Sequence, residues 1–307
     1  MSGASETLGR KMAGAKDLSA VVRSMKALAA SSITQYERSV ESLQDYFRTV
    51  ELALSACLRE LDSTAPVERK QRPVPRGAII FGSDQGLVGR FNEVLMEYSA
   101  HILHALPGDT LKVWAVGERM QELVTDAGLP APITLSVPNS VDGIAPLVGQ
   151  ILIDIQDARE HGEVDEIYVF HNQPIVSARY QPVSKRLLPF DAHWQRDFAG
   201  LPWPTHMLPQ VIGGAASAIE SLIRGYLFVL LFQACAQSLA AENASRLAAM
   251  QRAEENISDI LSALSRKFHR IRQESIDEEL FEVVSGYEAL LKARRNPCAV
   301  AGLRRLA

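Results

Sequence analysis

The residues best placed to do chemistry stand in GSDQGLVGRFN, where Gly82, Gly86 and Gly89 could bring backbone N–H groups up to a phosphate. Three and then two residues separate these glycines, and no lysine follows the last of them. That spacing matches neither the dinucleotide fingerprint nor the P-loop. Asp84 also places a negative charge where a bound anion would need bare donors. The segment therefore reads as a tight strand-to-helix turn, with no direct nucleotide binding. Ser83 lacks the flanking glycines of a nucleophile elbow. His101 and His104 share a helical face, but no acidic third ligand follows at metalloprotease spacing. His171 reads as a polar cap at the end of a strand, and Glu254, Glu255 and Asp277 to Glu279 as solvated acids on a helix. Cys57, Cys235 and Cys298 lie far apart, which fits reduced thiols in a cytoplasmic protein better than a disulfide framework or a metal site. No catalytic residue, cofactor or metal is expected.

The elements that carry these residues follow from periodicity. Over residues 6–61 apolar side chains recur every three or four positions, from Leu18, Val22, Met25 and Ala29 to Leu54, Leu58 and Leu61, with no proline after Glu6. This predicts one long amphipathic helix. The polar, proline-containing stretch STAPVERKQRPVPRG ends it. A second helical stripe over 209–293 includes Ile219, Ile223, Leu227, Leu230 and Ala234, then Ile257, Leu261, Leu264, Phe268, Ile271, Leu280, Val284, Tyr287 and Leu291. Roughly 80 helical residues would span about 120 Å, far more than a globular domain of this size. Two such helices bury their stripes most economically against each other, as an antiparallel coiled coil. Small residues such as Ala240, Ala241, Ala244, Ala248 and Ala249 allow close backbone approach.

Between the helices, over 76–200, the period changes. GAIIFGS, LKVWAVG and EIYVFHN are short apolar runs that alternate with helical patterns over 90–106, 118–127 and 144–161. Alternating strands and helices predict an α/β, Rossmann-like domain with a mostly parallel sheet. Residues 178–189 alternate in hydropathy and read as an antiparallel edge strand beside 166–172. The chain of 307 residues is 47% hydrophobic with a formal charge of −4, which argues against nucleic acid as a partner. Lys292, Arg294, Arg295, Arg304 and Arg305 form a basic tail, taken as 294–307. The N-terminal MSGASETLGRKMAGAK lacks a signal peptide's apolar core. The most apolar run, Tyr226 to Ala236, is about half the ~20 residues that span a bilayer and reads as a buried helix segment.

Three stretches resemble F-type ATP synthase gamma subunits: VVRSMKALAASSI at 21–33, FGSDQGLVGRFNEVL at 81–95, and AENASRLAAMQRAEENISDI continuing into HRIRQESIDEELFEVVSGYEAL over 241–290. Arg246, Ala249, Met250, Ala253, Asn256, Arg272, Gln273, Ile276, Glu279, Leu280, Ser285 and Gly286 fall in that family's order. Val88 and Arg90 stand where cysteine and glycine are usual, and the plant regulatory dithiol insertion is missing. QYERSVESLQDYFRTVELALSACLRE looks more like the divergent, alternate F-type ATPases.

The resemblance implies a non-catalytic central rotor shaft coupling ion transport, of protons or sodium, to ATP synthesis or hydrolysis. Its implied partners are the alpha and beta subunits of the hexamer, the epsilon subunit and the membrane ring of c subunits. It also implies a peripheral location on the cytoplasmic side of the bacterial inner membrane, held there by partners. Contacts to the alpha and beta subunits would come from Arg23, Met25, Lys26, Arg246, Met250, Arg272 and Gln273. The competing reading is a coiled-coil scaffold with a Rossmann-like domain, unrelated to ATP turnover.

Overall fold

In the computed structural model the described residues are 3–60, 74–106, 110–175, 179–190, 192–207, 209–212 and 214–295. Cys298, Arg304, Arg305 and most of the expected linker and basic tail lie outside them. The chain runs α1 (Gly3–Ser42), α2 (Gln44–Glu60), β1 (Arg76–Phe81), α3 (Phe91–Ala105), β2 (Leu111–Val116), α4 (Glu118–Asp126), β3 (Ile133–Leu135), α5 (Ile144–Glu160), β4 (Glu166–Ile175), β5 (Arg179–Leu188), α6 (Ala192–Ala199) and α7 (Ala215–Arg295). The sheet order is β3-β2-β1-β4-β5. The first four strands are mutually parallel, and β5 pairs antiparallel with β4.

Strand β1 is buried at every position, as a central parallel strand covered on both faces must be. Its side chains alternate between two cores. Ile79 and Phe81 join Trp114, Val116, Val169, Ile144, Ile151 and the apolar part of α7, Leu227 to Ala240, together with Leu54 of α2. Ala78 and Ile80 face the other way, to Leu95 and Met96 of α3 and Met120 and Val124 of α4. The fold class is therefore α/β, with long N- and C-terminal helices and a mostly parallel central sheet.

Two compact units divide α1 and α7 between them: Met1–Ser24 with Gln251–Ala307, and Met25–Met250. Residues 3–24 of α1 and 251–295 of α7 thus belong to the same unit. There Leu8, Val22 and Ile257 are buried, and Leu261, Leu264, Phe268 and Ile271 are half-buried. The expected stripe fails at its end, since Leu280 is 61% and Tyr287 63% exposed. Length explains this. To the first unit α1 contributes 3–24 and α7 contributes 251–295, about twice as much helix, so α1 cannot cover it all. Leu18 likewise is exposed, although it falls on the expected stripe.

Three further differences from the sequence reading have local causes. The N-terminal helix is interrupted at Leu43, whose N–H bonds the Val40 carbonyl at 3.2 Å. Ser39 and Ser42 donate to the carbonyls three residues back, at 2.7 and 2.9 Å, and compete with the helical ladder. The short strand β3 was invisible because Ile133 and Thr134 are exposed. Helix α6 is too short for a periodic signal. It is held by Trp194, which stacks on Phe190 and Phe198 with centroids 4.1 and 4.3 Å away and meets Tyr226 edge-on.

Candidate functional site

The glycine-rich turn is closed by its own chain. The Ser83 N–H donates to Asn92 Oδ1 at 3.0 Å, Asn92 Nδ2 donates to Ser83 Oγ at 2.8 Å, and Ser83 Oγ donates to the Gln85 carbonyl at 2.9 Å. Asp84 does what a bound anion would do. Its carboxylate accepts the Glu118 N–H, in the first turn of α4, at 3.1 Å and the Val137 N–H at 3.2 Å. Those donors are spent, so the turn offers no phosphate cradle at that helix end. Backbone approach is tight as well. Gly117, at φ 108°, leaves a Cβ only 2.5 Å from the Ser83 carbonyl oxygen, and a Cβ on Gly82 would meet Met120 at 2.5 Å.

The turn is docked onto α7 and β4. Ser238 donates to the Phe81 carbonyl at 2.9 Å, Ser245 to the Val88 carbonyl at 2.5 Å, and Asn172 to the Phe91 carbonyl at 3.0 Å. Val88 and Phe91 are buried against Ala241, whose small side chain admits them. Nearby, the His171 Nε2–H donates to Gln237 Oε1 at 2.9 Å, and His171 Nδ1 is buried without a partner. Burial lowers the imidazole pKa to about 4, so His171 is neutral at physiological pH and joins the sheet to α7. The expected polar cap is thus a core hydrogen bond.

Where α1, this turn and α7 meet inside the larger unit, a groove of about 270 Å³ opens, lined by Met25, Leu28, Tyr36, Asp84, Glu242 and Arg246 among others. Arg246 Nη2 lies 2.5 Å from Glu242 Oε1, and Arg246 Nη1 donates to Asn243 Oδ1 at 3.4 Å. Glu242 is 5% exposed. Burial pushes its carboxyl pKa up, against the pull of Arg246, and the nearby Asp84 adds to the rise. Burial, then Glu242, likewise raises the Tyr36 phenol.

Of the expected contact residues, the structure brings Met25 and Arg246 to this one groove. Lys26 is half-buried, and Met250 is buried at 3% exposure, so it packs rather than presents a surface. In the smaller unit Arg23 is exposed and bonds Ser19 on its own helix at 3.4–3.5 Å, while Arg272 and Gln273 are both exposed. Sequence reasoning missed Glu242, Asn243 and Tyr36. The four-residue spacing of Glu242 and Arg246 was a usable signal. His101 and His104 are exposed on α3, and Cys57 and Cys235 are buried free thiols. Among the described residues no group of three His, Cys, Asp or Glu is close enough to hold a metal.

Comparison with known proteins agrees with this architecture. The chain is 26% identical over 286 residues to the ATP synthase gamma chain of Syntrophus aciditrophicus, covering 92% of this chain and 97% of the relative. It is 26% identical over 275 residues to that of Dechloromonas aromatica, covering 88% and 93%. Its fold matches a chain of the mitochondrial ATP synthase of Euglena gracilis, in an assembly of OSCP, F1 and c-ring, with a TM-score of 0.60 at 16% identity, covering 95% and 96% of the two chains. A central stalk and c-ring structure of the Tetrahymena thermophila mitochondrial enzyme gives 0.53 at 17% identity, covering 76% and 99%. The family model described as ATP synthase extends over residues 5–290, nearly the whole of the fold just described, and the chain belongs to that family.

Proposed function

We propose that this chain is the gamma subunit, the central rotor shaft, of a rotary F-type ATP synthase. It couples ion transport through a membrane ring to ATP synthesis or hydrolysis in an alpha–beta hexamer and carries no catalytic site itself. The observation that carries the reading is the uncovered end of α7. Ile276, Leu280, Phe281, Val283, Val284, Tyr287 and Leu290 are each 46–72% exposed on a helix that outlasts α1. Such a surface asks for a surrounding partner, and a sleeve of alpha and beta subunits supplies one. The shaft acts only through contacts that differ between the conformations of the hexamer's sites.

By the same reading Arg23, Met25, Lys26, Arg246, Arg272 and Gln273 face the hexamer, whereas Met250 is buried. The α/β domain, 76–200, meets the epsilon subunit and the c ring. The parts of α1 and α7 outside the sheet core serve as the shaft, α7 beginning at Ala215 rather than at residue 209. The chain sits on the cytoplasmic side of the bacterial inner membrane through these partners. The apolar window of α7 is long enough to cross a membrane by length and composition. Leu227, Val229 to Phe232 and Ala234 to Ala236 are nonetheless buried in the protein core, which favours a peripheral role.

Co-expression with the alpha and beta subunits of the same organism tests the proposal. One chain per three alpha and three beta subunits, with ATP hydrolysis that depends on it, is the expected result. Failure to co-purify would leave the scaffold reading. Saturable nucleotide binding by the chain alone, in calorimetric titration, would overturn its non-catalytic assignment.

A further inference from the structure

The Glu242–Arg246 pair has a geometry that a plain surface salt bridge lacks. The Glu242 side chain is 7% exposed and that of Arg246 17%, yet both line an open groove. Asn243 takes a second guanidinium N–H at 3.4 Å. A guanidinium carries five donors in a fixed planar fork, so N–H groups remain after these two contacts. Asp84 is on the groove wall as well, but its carboxylate is engaged by the Glu118 and Val137 N–H groups. Glu242 is thus the carboxylate that fixes the guanidinium.

We propose that Glu242 is a positioning residue, which with Asn243 locks the Arg246 guanidinium at the groove so that its remaining donors meet a carboxylate or carbonyl of the hexamer. This rests on the reading of Arg246 as a hexamer contact. A long side chain held in one rotamer before assembly has less freedom to lose when the partner arrives. A guanidinium whose charge is already half-satisfied also reads geometry more than charge. It favours a partner oxygen lying in its plane.

The test uses the assembled complex of this chain with its own alpha and beta subunits, and reads ATP turnover for Arg246→Ala, Glu242→Ala, Glu242→Gln and the Arg246→Ala/Glu242→Ala pair. Loss of one charge-assisted contact predicts a drop of about tenfold for either alanine variant. The pair is expected to fall no further than one alone, because both remove the same contact. Glu242→Gln keeps an acceptor and is expected to recover most of the rate. Wild-type turnover in Glu242→Ala, or losses that multiply in the pair, overturns the positioning role while the Arg246 contact stands. Wild-type turnover in Arg246→Ala overturns the contact reading itself. If Glu242→Ala does not assemble, Glu242→Leu fills the site without an acceptor. Slow turnover in that complex supports the proposal, and normal turnover overturns it.

Discussion

At the scale of single residues, the turn after β1 is maintained by side chains standing in for a ligand. Removing the Asp84 carboxylate orphans the N–H groups of Glu118 and Val137, so Asp84→Ala is expected to cost about 1–2 kcal/mol in a denaturant melt. Asp84→Asn keeps an acceptor and is expected to cost less. Equal losses for the two would mean that the charge, not the hydrogen bonds, holds the turn. His171 gives a pH dependence of definite sign. Unfolded, it takes a proton near the ordinary histidine value of 6.5; folded, it resists until about pH 4 because it is buried. Between those values the unfolded chain binds more protons, so acid removes stability, by about 3 kcal/mol once pH is below both. His171→Gln is expected to flatten that part of the stability–pH curve, and parallel curves would show that the folded imidazole charges freely. The sequence made Asp84 legible, because an acid in a glycine turn has few other uses. It hid His171 and Ser238, whose partners, Gln237 and the Phe81 carbonyl, lie 66 and 157 residues away.

At the scale of elements, legibility followed burial and length. Strands β1, β2 and β4 are covered on both faces and read as continuous apolar runs, so their positions were plain. The three-residue, half-exposed β3 left no pattern. Helix α6 was hidden for another reason. Its eight residues are fixed by aromatic stacking on Phe190, Phe198 and Tyr226, which periodicity does not report. Trp194→Ala is accordingly expected to cost about 2–4 kcal/mol and to expose the Tyr226 ring, seen as quenching or a solvent shift of tyrosine fluorescence. The break between α1 and α2 carries a second prediction. Replacing Ser39 and Ser42 by alanine removes the hydroxyls bonded to the Tyr36 and Ser39 carbonyls and is expected to slow hydrogen exchange at amides 42–44. Unchanged exchange there would place the cause of the interruption in packing.

At the scale of the whole molecule, the stripe that predicted two long helices also over-predicted their burial. A three-to-four repeat states which face of a helix is apolar. It does not state whether the covering surface belongs to the same chain. Over Ile257 to Ile271 the cover is at least partly internal, whereas over Leu280 to Leu291 those side chains are left in solvent. This makes a truncation informative. The larger unit closes its core within Met25–Met250, so a chain ending at Ser275 is expected to keep the melting midpoint of that unit. Its assembled complex, deprived of the apolar residues 276–291, is expected to bind alpha and beta subunits more weakly and to lose ATP turnover. A lowered midpoint for the larger unit would mean that the end of α7 serves the chain's own stability. A complex as tight and as fast as the full-length one would mean that the exposed stripe is not where the hexamer grips.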